Sequence, residues 1–286
     1  MSELLIHPQT RELLNNYLVN PSHAITLVAP AGSGKHSLAL MIAARLLNSD
    51  LERLDKHPYL KMISSVEGKA IGIESIRELE HFLSLKVPSK NAVQRLIIIE
   101  DAETLTIEAQ TAFLKTLEEP PVGTLFILSS THEQALLPTI RSRSPNLIIT
   151  KPDHASLIDY FNNQNYSEAE VKQALLVSGG LPGLASALLS QRTDHPLIPA
   201  TEMARYLLRA DRYQQLIKVD ELAKDRLLCL NTLFILQQMA HLSLLSVTRD
   251  NAKRWLNVLK FSYEAQVALE SNNQSKLVLA NLMLQL

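Results

Sequence analysis

The segment 95–121, RLIIIEDAETLTIEAQTAFLKTLEEPP, constrains the fold of this chain more than any other stretch. Residues 96–99 are a short apolar run, typical of a strand buried on both faces of a parallel sheet. Glu100 and Asp101 follow at once, and open α/β sheets bind their ligands at the carboxyl ends of strands. The pattern predicts either an acidic ligand site at a strand end or helix-capping acids that face water.

A helix is predicted directly after these acids. Thr106 is a suitable N-cap, Glu108 places negative charge in the first turn, and the prolines at 120 and 121 end the helix. The predicted apolar stripe consists of Ile107, Phe113, Leu114 and Leu117. Strand, acids and amphipathic helix in this order predict one βα unit of an α/β domain with a parallel sheet.

An earlier apolar run, residues 25–28, leads into a glycine-bearing loop and a second helical pattern. The loop and the helix start contain Pro30, Ala31, Gly32, Ser33, Gly34, Lys35, His36 and Ser37. Strand, glycine loop, lysine and helix are the context that a phosphate-binding loop needs. Backbone N–H groups and the Lys35 ammonium would hold phosphate oxygens there.

The loop departs from the usual G-x-x-x-x-G-K-[ST] pattern at two places. Ala29 stands at the first glycine, and His36 stands where a hydroxyl would bind Mg²⁺. Ser37 comes one residue late and faces elsewhere on the helix. The loop predicts either a phosphate site with doubtful ATP binding, and Mg²⁺ only together with ATP, or a strand-to-helix turn with a solvated lysine.

Further elements complete the first domain. Residues 124–128 predict another buried strand, and Ser130 follows among small hydroxyl residues that could orient a phosphate or cap a turn. Arg141 and Arg143 form either a solvated basic turn or a pair that reaches an anion on a neighbouring subunit. Residues 147–149 predict a last strand, residues 50–69 an irregular excursion, and residues 87–91 a turn.

Composition excludes several classes of function. The net charge of −1 argues against strong autonomous binding to nucleic acid. The single cysteine, Cys229, excludes a disulfide framework within the chain and a multi-cysteine zinc site, so we predict no zinc and no metal of its own. The absence of a signal pattern and of an apolar run near about 18 residues predicts a cytoplasmic protein without membrane contact.

The second half predicts helices throughout. Three short helices over 151–193 include one that starts with a capping box, Ser167 with Glu170, and ends at Gly179. Residues 192–199 predict a linker, and residues 198–286 an all-α domain. Its helix at 227–245 is apolar enough to be buried, either in its own domain or by partner subunits.

The order of these motifs resembles the clamp-loader branch of the AAA+ ATPases. The resemblance rests on the glycine loop, on IREL, IIIEDAE and LKTLEEPP, and on TIRSRS, with Ser144 where the family has cysteine. It implies an AAA+ P-loop base domain at 1–150, a three-helix lid at 151–193 and a collar-like oligomerisation domain at 198–286.

The resemblance also implies roles for single residues. Lys35 is the loop lysine, Glu100 the Mg²⁺-binding acid and Asp101 the doubtful catalytic base, in an order reversed from the family's active members. Ser130 falls near the sensor position, and Arg143 matches an arginine finger that reaches ATP on the adjacent subunit. The lid turn at 179–185 lacks the arginine that contacts nucleotide in active relatives.

The implied function is that of a loader subunit which hydrolyses ATP weakly or not at all. Its partners would be gamma/tau-like and delta-like subunits, with the sliding clamp and primed DNA reached through the complex. The alternatives are a catalytically active gamma-type ATPase and an autonomous P-loop enzyme. An active enzyme would turn over alone, whereas a finger donor would act only in a complex.

Overall fold

A computed structural model describes residues 4–65, 69–87, 92–193, 195–246, 249–271 and 273–285. The chain forms two compact units, residues 1–151 and 152–286, which are described separately below. The predicted turn at 87–91 lies largely outside the described residues. The predicted linker at 192–199 and the excursion at 50–69 are described only in part.

The first unit alternates strands and helices. Its elements are α1 (Pro8–Val19), β1 (Ala24–Val28), α2 (Lys35–Leu46), β2 (Leu60–Ile63), α3 (Ile73–Ser84), β3 (Arg95–Ile99), α4 (Ile107–Glu118), β4 (Thr124–Ser130), α5 (Pro138–Arg141) and β5 (Asn146–Ile148). The strands form one parallel sheet in the order β2-β3-β4-β1-β5. The predicted α/β class is therefore confirmed.

The excursion predicted at 50–69 was wrong in part, because it contains a 3₁₀ helix (Leu51–Lys56) and β2. Strand β2 forms one edge of the sheet and pairs only with β3. Edge strands tolerate charge, and Lys61 lies 3.8 Å from the carboxylate of Glu78. This charged residue interrupts the apolar run that would have indicated a strand.

Helices cover both faces of the sheet because successive strand residues point to opposite sides. On β3, Ile97 and Ile99 join the core under α3 and α4, whereas Leu96 and Ile98 join the core with α1 and α2. Phe113 of α4 meets Phe126 of β4 edge to face, with ring centroids 5.3 Å apart. Phe113 and Leu117 of the predicted apolar stripe of α4 are buried. The inclusion of Ile107 in that stripe was wrong, since its side chain is 70% exposed.

Among its described residues, the second unit has regular secondary structure only in the form of helices. Its helices are α6 (His154–Asn162), α7 (Glu168–Val177), α8 (Pro182–Leu189), α9 (Ile198–Arg209), α10 (Arg212–Leu222), α11 (Arg226–Ser246), α12 (Arg249–Glu270) and α13 (Ser275–Gln285). The capping box of α7 is confirmed, because Ser167 and Glu170 bond each other's backbone N–H groups. The division of this unit into lid and collar stays a prediction.

Helix α11 is the apolar centre of the second unit and packs on α9 and α12. Leu233, Ile235 and Leu236 are fully buried. The stretch Arg226–Leu245 is long and apolar enough to cross a membrane by composition alone, and half of it is buried within the protein. The absence of membrane contact stays a prediction.

Cys229 of α11 is expected to resist thiol reagents in the native protein. Its side chain is fully buried, and burial raises the pKa of the thiol to about 11. Because the thiolate is the reactive form, almost none is present at neutral pH, and reactivity should rise only as the pH approaches that pKa. Titration with a disulfide reagent at neutral pH should detect the thiol only after denaturant is added, and rapid native labelling would contradict this.

Candidate functional site

The ends of three neighbouring strands bring the predicted site residues together. Val28 at the end of β1 is in register with Ser130 of β4, and Ile99 at the end of β3 is in register with Leu128. The loop that ends at Lys35, the acids after β3 and the serines of β4 therefore share one edge of the sheet. This is the carboxyl edge that the sequence predicted.

The glycine loop closes on its own lysine. The Lys35 ammonium donates to the carbonyl oxygens of Ala29 at 2.6 Å and Pro30 at 3.3 Å. Its side chain is buried, and burial lowers the pKa of the amine, partly opposed by Asp101 and two further acids. The lysine side chain therefore folds over the backbone of its own loop.

The backbone of the loop supports this closed conformation. Gly34 caps α2 with φ of 91°, a left-handed conformation that glycine adopts without a steric cost. Gly32 has φ of 75°, and the N–H of Ser33 donates to the Pro30 carbonyl at 3.3 Å. Ala31 borders the same turn, and Ser37 lies on the exposed side of α2. The predicted separation of Ser37 from a phosphate position stays a prediction.

His36 and Glu100 contact each other directly. The imidazole Nδ1 and the carboxylate Oε1 are within hydrogen-bonding distance, although the two residues are 64 positions apart in sequence. His36 is well exposed, whereas Glu100 is mostly covered. His36, at the position where a Mg²⁺-binding hydroxyl was expected, therefore contacts the acid that the resemblance implies as the ligand of that ion.

Asp101 has a constrained backbone at the start of the segment after β3. Its φ of 44° is unusual for a residue other than glycine, and Asp is among the few types that tolerate it. Its N–H donates to the hydroxyl of Ser129 at 3.0 Å, and its carbonyl accepts from Thr104. Partial burial, followed by the nearby charge of Glu103, raises the pKa of its carboxyl.

One neighbour of the predicted site residues, Glu103, was missed by sequence reasoning. Glu103 accepts hydrogen bonds from the N–H and the hydroxyl of Thr131, at 2.9 and 2.6 Å, and so ties the acidic segment to the end of β4. Ser129, one of the small hydroxyl residues that the sequence placed at this strand end, accepts from the Asp101 N–H, whereas Ser130 donates its hydroxyl to the His132 carbonyl at 3.0 Å. Strand alternation was the available signal, since only one of two successive serines can face a given neighbour.

Arg143 lies near the amino ends of the strands, on the side of the sheet opposite the carboxyl ends that carry Lys35. A helix that joins two parallel strands runs back to the edge where the next strand starts. Glu118 ends α4, which leads into β4, and Arg143 follows α5, which leads into β5. Their side chains form an ion pair at 2.8 Å. The Arg143 side chain is 37% exposed and also donates to the Thr139 carbonyl at 3.1 Å.

Two buried contacts fix the segment that carries Arg143. Gln110 of α4 accepts from the Leu137 N–H at 2.9 Å and donates to the Leu105 carbonyl at 3.1 Å. Beyond the arginine, the fully buried Ser144 shares a hydrogen bond of 2.7 Å with Thr26 of β1. The segment is therefore held at both ends, while the guanidinium stays accessible.

The residues around the loop do not fit magnesium-bound ATP well. The hydroxyl ligand is replaced by imidazole, Glu100 already contacts that imidazole, and Lys35 is bonded to backbone carbonyls. Asp101 follows Glu100, but its side chain is one methylene shorter than the glutamate that the resemblance implies as the catalytic base. The donor set suits a closed loop better than a catalytic nucleotide site.

Comparison with known proteins gives the family. The sequence model described as DNA polymerase III, delta subunit, matches residues 6–153. The DNA polymerase III subunit delta' of Pseudomonas aeruginosa is 30% identical, over 66% of this chain and 62% of that protein. The Haemophilus influenzae protein of the same name is 27% identical, over 59% of this chain and 55% of its own length. The matched part thus spans less than two thirds of these relatives.

A solved structure supports the fold. A DNA polymerase III gamma subunit-related protein from Thermotoga maritima has a TM-score of 0.51 at 18% identity, over 96% of this chain and 97% of that chain. This likeness shows the architecture alone. The family match covers more than half of the 286 residues, and it carries the motifs on which the resemblance was based. The chain belongs to the family described as DNA polymerase III, delta subunit.

Proposed function

We propose that this chain is a delta-prime-type subunit of a bacterial clamp loader. It assembles with gamma/tau-like and delta-like subunits in the cytoplasm and helps to load the sliding clamp onto primed DNA. Family membership and the names of the curated relatives support this assignment. The proposed subunit binds no zinc or other metal ion of its own and makes no membrane contact.

The observation that carries the proposal is the placement of Arg143. The guanidinium lies near the amino ends of the strands, whereas Lys35 lies at their carboxyl ends. The sheet topology therefore separates Arg143 from the chain's own glycine loop. Gln110 and Ser144 hold the segment that carries this exposed arginine in place. The arginine can therefore reach a neighbouring molecule without a change in the backbone around it. An arginine supplied in this way stabilises the charge of a phosphoryl-transfer transition state at the neighbour's site.

The second part of the proposal is that the chain's own loop turns over ATP poorly or not at all. The contact between His36 and Glu100 supports this, because it occupies both groups that would face Mg²⁺. Asp101 adds to the defect, since misplacing a reacting group by about 1 Å can cost about 10²-fold in rate. A gamma-type ATPase or an autonomous P-loop enzyme remains the second candidate, favoured only by the intact Lys35.

ATP hydrolysis by the purified chain, alone and mixed with gamma-like and delta-like partners, tests this proposal. We expect the chain to be silent alone, and the Lys35→Ala variant to leave the DNA-dependent turnover of the complex unchanged. Failure to assemble with either partner would overturn the loader assignment. Turnover by the isolated chain that is lost in Lys35→Ala would instead establish the second candidate.

A further inference from the structure

An open groove lies on the second unit between α9 and α10, far in sequence from the loop and from Arg143. It encloses about 370 Å³ and is lined by Glu202, Arg205, Tyr206, Arg209, Ala210 and Gln214. The outward face of α9 supplies most of this lining, because its buried residues, Ala200, Thr201, Ala204 and Leu207, lie on the other side. The groove therefore belongs to a single helical unit and is open to solvent.

The groove carries cations that have no partner in the described part of the chain. Arg205 and Arg209 are one helical turn apart, about 6 Å along the axis, and neither forms an ion pair or a side-chain hydrogen bond with a described residue. Glu202 is the one acid of the lining, so the lining has a formal charge of +1. The acid of the adjoining turn, Asp211, already caps α10 by accepting from the Gln214 N–H.

Aromatic rings are interleaved with these cations. Tyr206 lines the groove at 39% exposure, and the Lys218 ammonium lies 5.8 Å from the centroid of its ring. Tyr213, which directly precedes the lining residue Gln214 in α10, is 74% exposed. Cations that follow a backbone, together with rings on which bases can stack, are the combination used by proteins that bind single strands without sequence preference.

We propose that this groove binds single-stranded nucleic acid. Arg205 and Arg209 contact successive phosphates, and Tyr213 stacks on a base. An acidic protein segment would also pair with the arginines, but it would not use the exposed ring of Tyr213, which directly precedes Gln214 of the lining. Binding at this groove requires neither ATP nor Arg143, so its test is independent of the test of the proposed function.

Fluorescence anisotropy of a labelled single-stranded oligo-dT with the full-length chain tests the inference. The net charge of −1 implies weak binding, with an expected Kd on the order of 10⁻⁵ to 10⁻⁴ M at low salt. Two phosphate contacts predict a slope of log K against log salt near about −1.4, from about −0.7 for each contact on a single strand.

Variants separate the two kinds of contact. Arg205→Ala or Arg209→Ala should each make the slope shallower by about 0.7. Tyr213→Leu should weaken binding by roughly tenfold and leave the slope unchanged, because stacking releases no counterions. Arg53→Ala is the matched control, since Arg53 is an exposed arginine in the other unit, and this variant should bind like the unaltered chain.

Three outcomes would overturn the inference. The first is the absence of oligo-dT binding at low salt, and the second is an equal loss of binding in Arg53→Ala and Arg205→Ala. The third is displacement of the oligonucleotide by poly-L-glutamate of matched charge as efficiently as by unlabelled oligo-dT. That result would make the groove a docking site for an acidic protein segment.

Discussion

The Arg143→Ala variant is expected to fold normally, to assemble, and to remove the contribution that this chain makes to ATP turnover at the adjacent site. A finger supplied by a neighbour accounts for about 10³- to 10⁵-fold in turnover at the site it serves. The pair with Glu118 is partly exposed, so its loss should change stability by no more than about 1 kcal/mol. The measurement is clamp- and DNA-stimulated ATPase of the assembled complex.

Two further variants sharpen this experiment. Arg143→Lys retains the charge but loses the planar fork of donors, and it should recover only part of the activity. Arg77→Ala is the matched control, because Arg77 is also an exposed arginine paired with a glutamate, Glu74, at 2.5 Å. Full ATPase activity in the complex that contains Arg143→Ala would remove this residue from the mechanism.

The Gly179→Ala variant is expected to destabilise the second unit by about 2–5 kcal/mol. Gly179 has φ of 62°, a conformation that costs other residues about 1–2 kcal/mol. A Cβ at this position would lie 2.9 Å from the backbone carbonyl carbon of Gln238 on α11 and closer still to its Cβ. Because backbone atoms cannot move aside cheaply, overpacking adds about 1–3 kcal/mol.

Urea unfolding followed by tryptophan fluorescence measures this effect, since the only tryptophan, Trp255, lies in α12 of the same unit. Far-UV circular dichroism gives the unfolding of the whole chain for comparison. Gly72→Ala is the control, because Gly72 has an ordinary φ of −83° and a Cβ added there would have no atom within 4 Å. Equal midpoints for the two variants would show that α11 can retreat from Gly179.

Much of the first unit could be predicted from local pattern. The runs before Glu100 and before the glycine loop are uninterrupted, and burial on both faces of a parallel sheet requires such runs. Strand β2 could not be found in this way, because an edge strand needs only one pairing side and tolerates Lys61. Ile107 fits the helical period of α4, but it lies in the first turn, where the helix has not yet reached the core.

The candidate site was predicted in outline and missed in its pairings. Strand order places Lys35, Glu100 and the β4 serines at one edge, and the motif spacing alone indicated that edge. The contact between His36 and Glu100 depends on the side-chain conformations of residues 64 positions apart, which no local pattern specifies. The choice of Ser129 over Ser130 depends on which face of β4 meets the acidic segment.

The bond between Lys35 and the Ala29 carbonyl sets a threshold for any ligand that enters the loop. A phosphate that takes the place of this carbonyl must replace a hydrogen bond of 2.6 Å that is largely shielded from water. A hydrogen bond to a charged group contributes about 2 kcal/mol, which corresponds to roughly 30-fold weaker apparent affinity than for an open loop. The Ala29 carbonyl therefore competes with a ligand's phosphate for Lys35. This competition weakens binding most for ligands that make no other contacts with the protein.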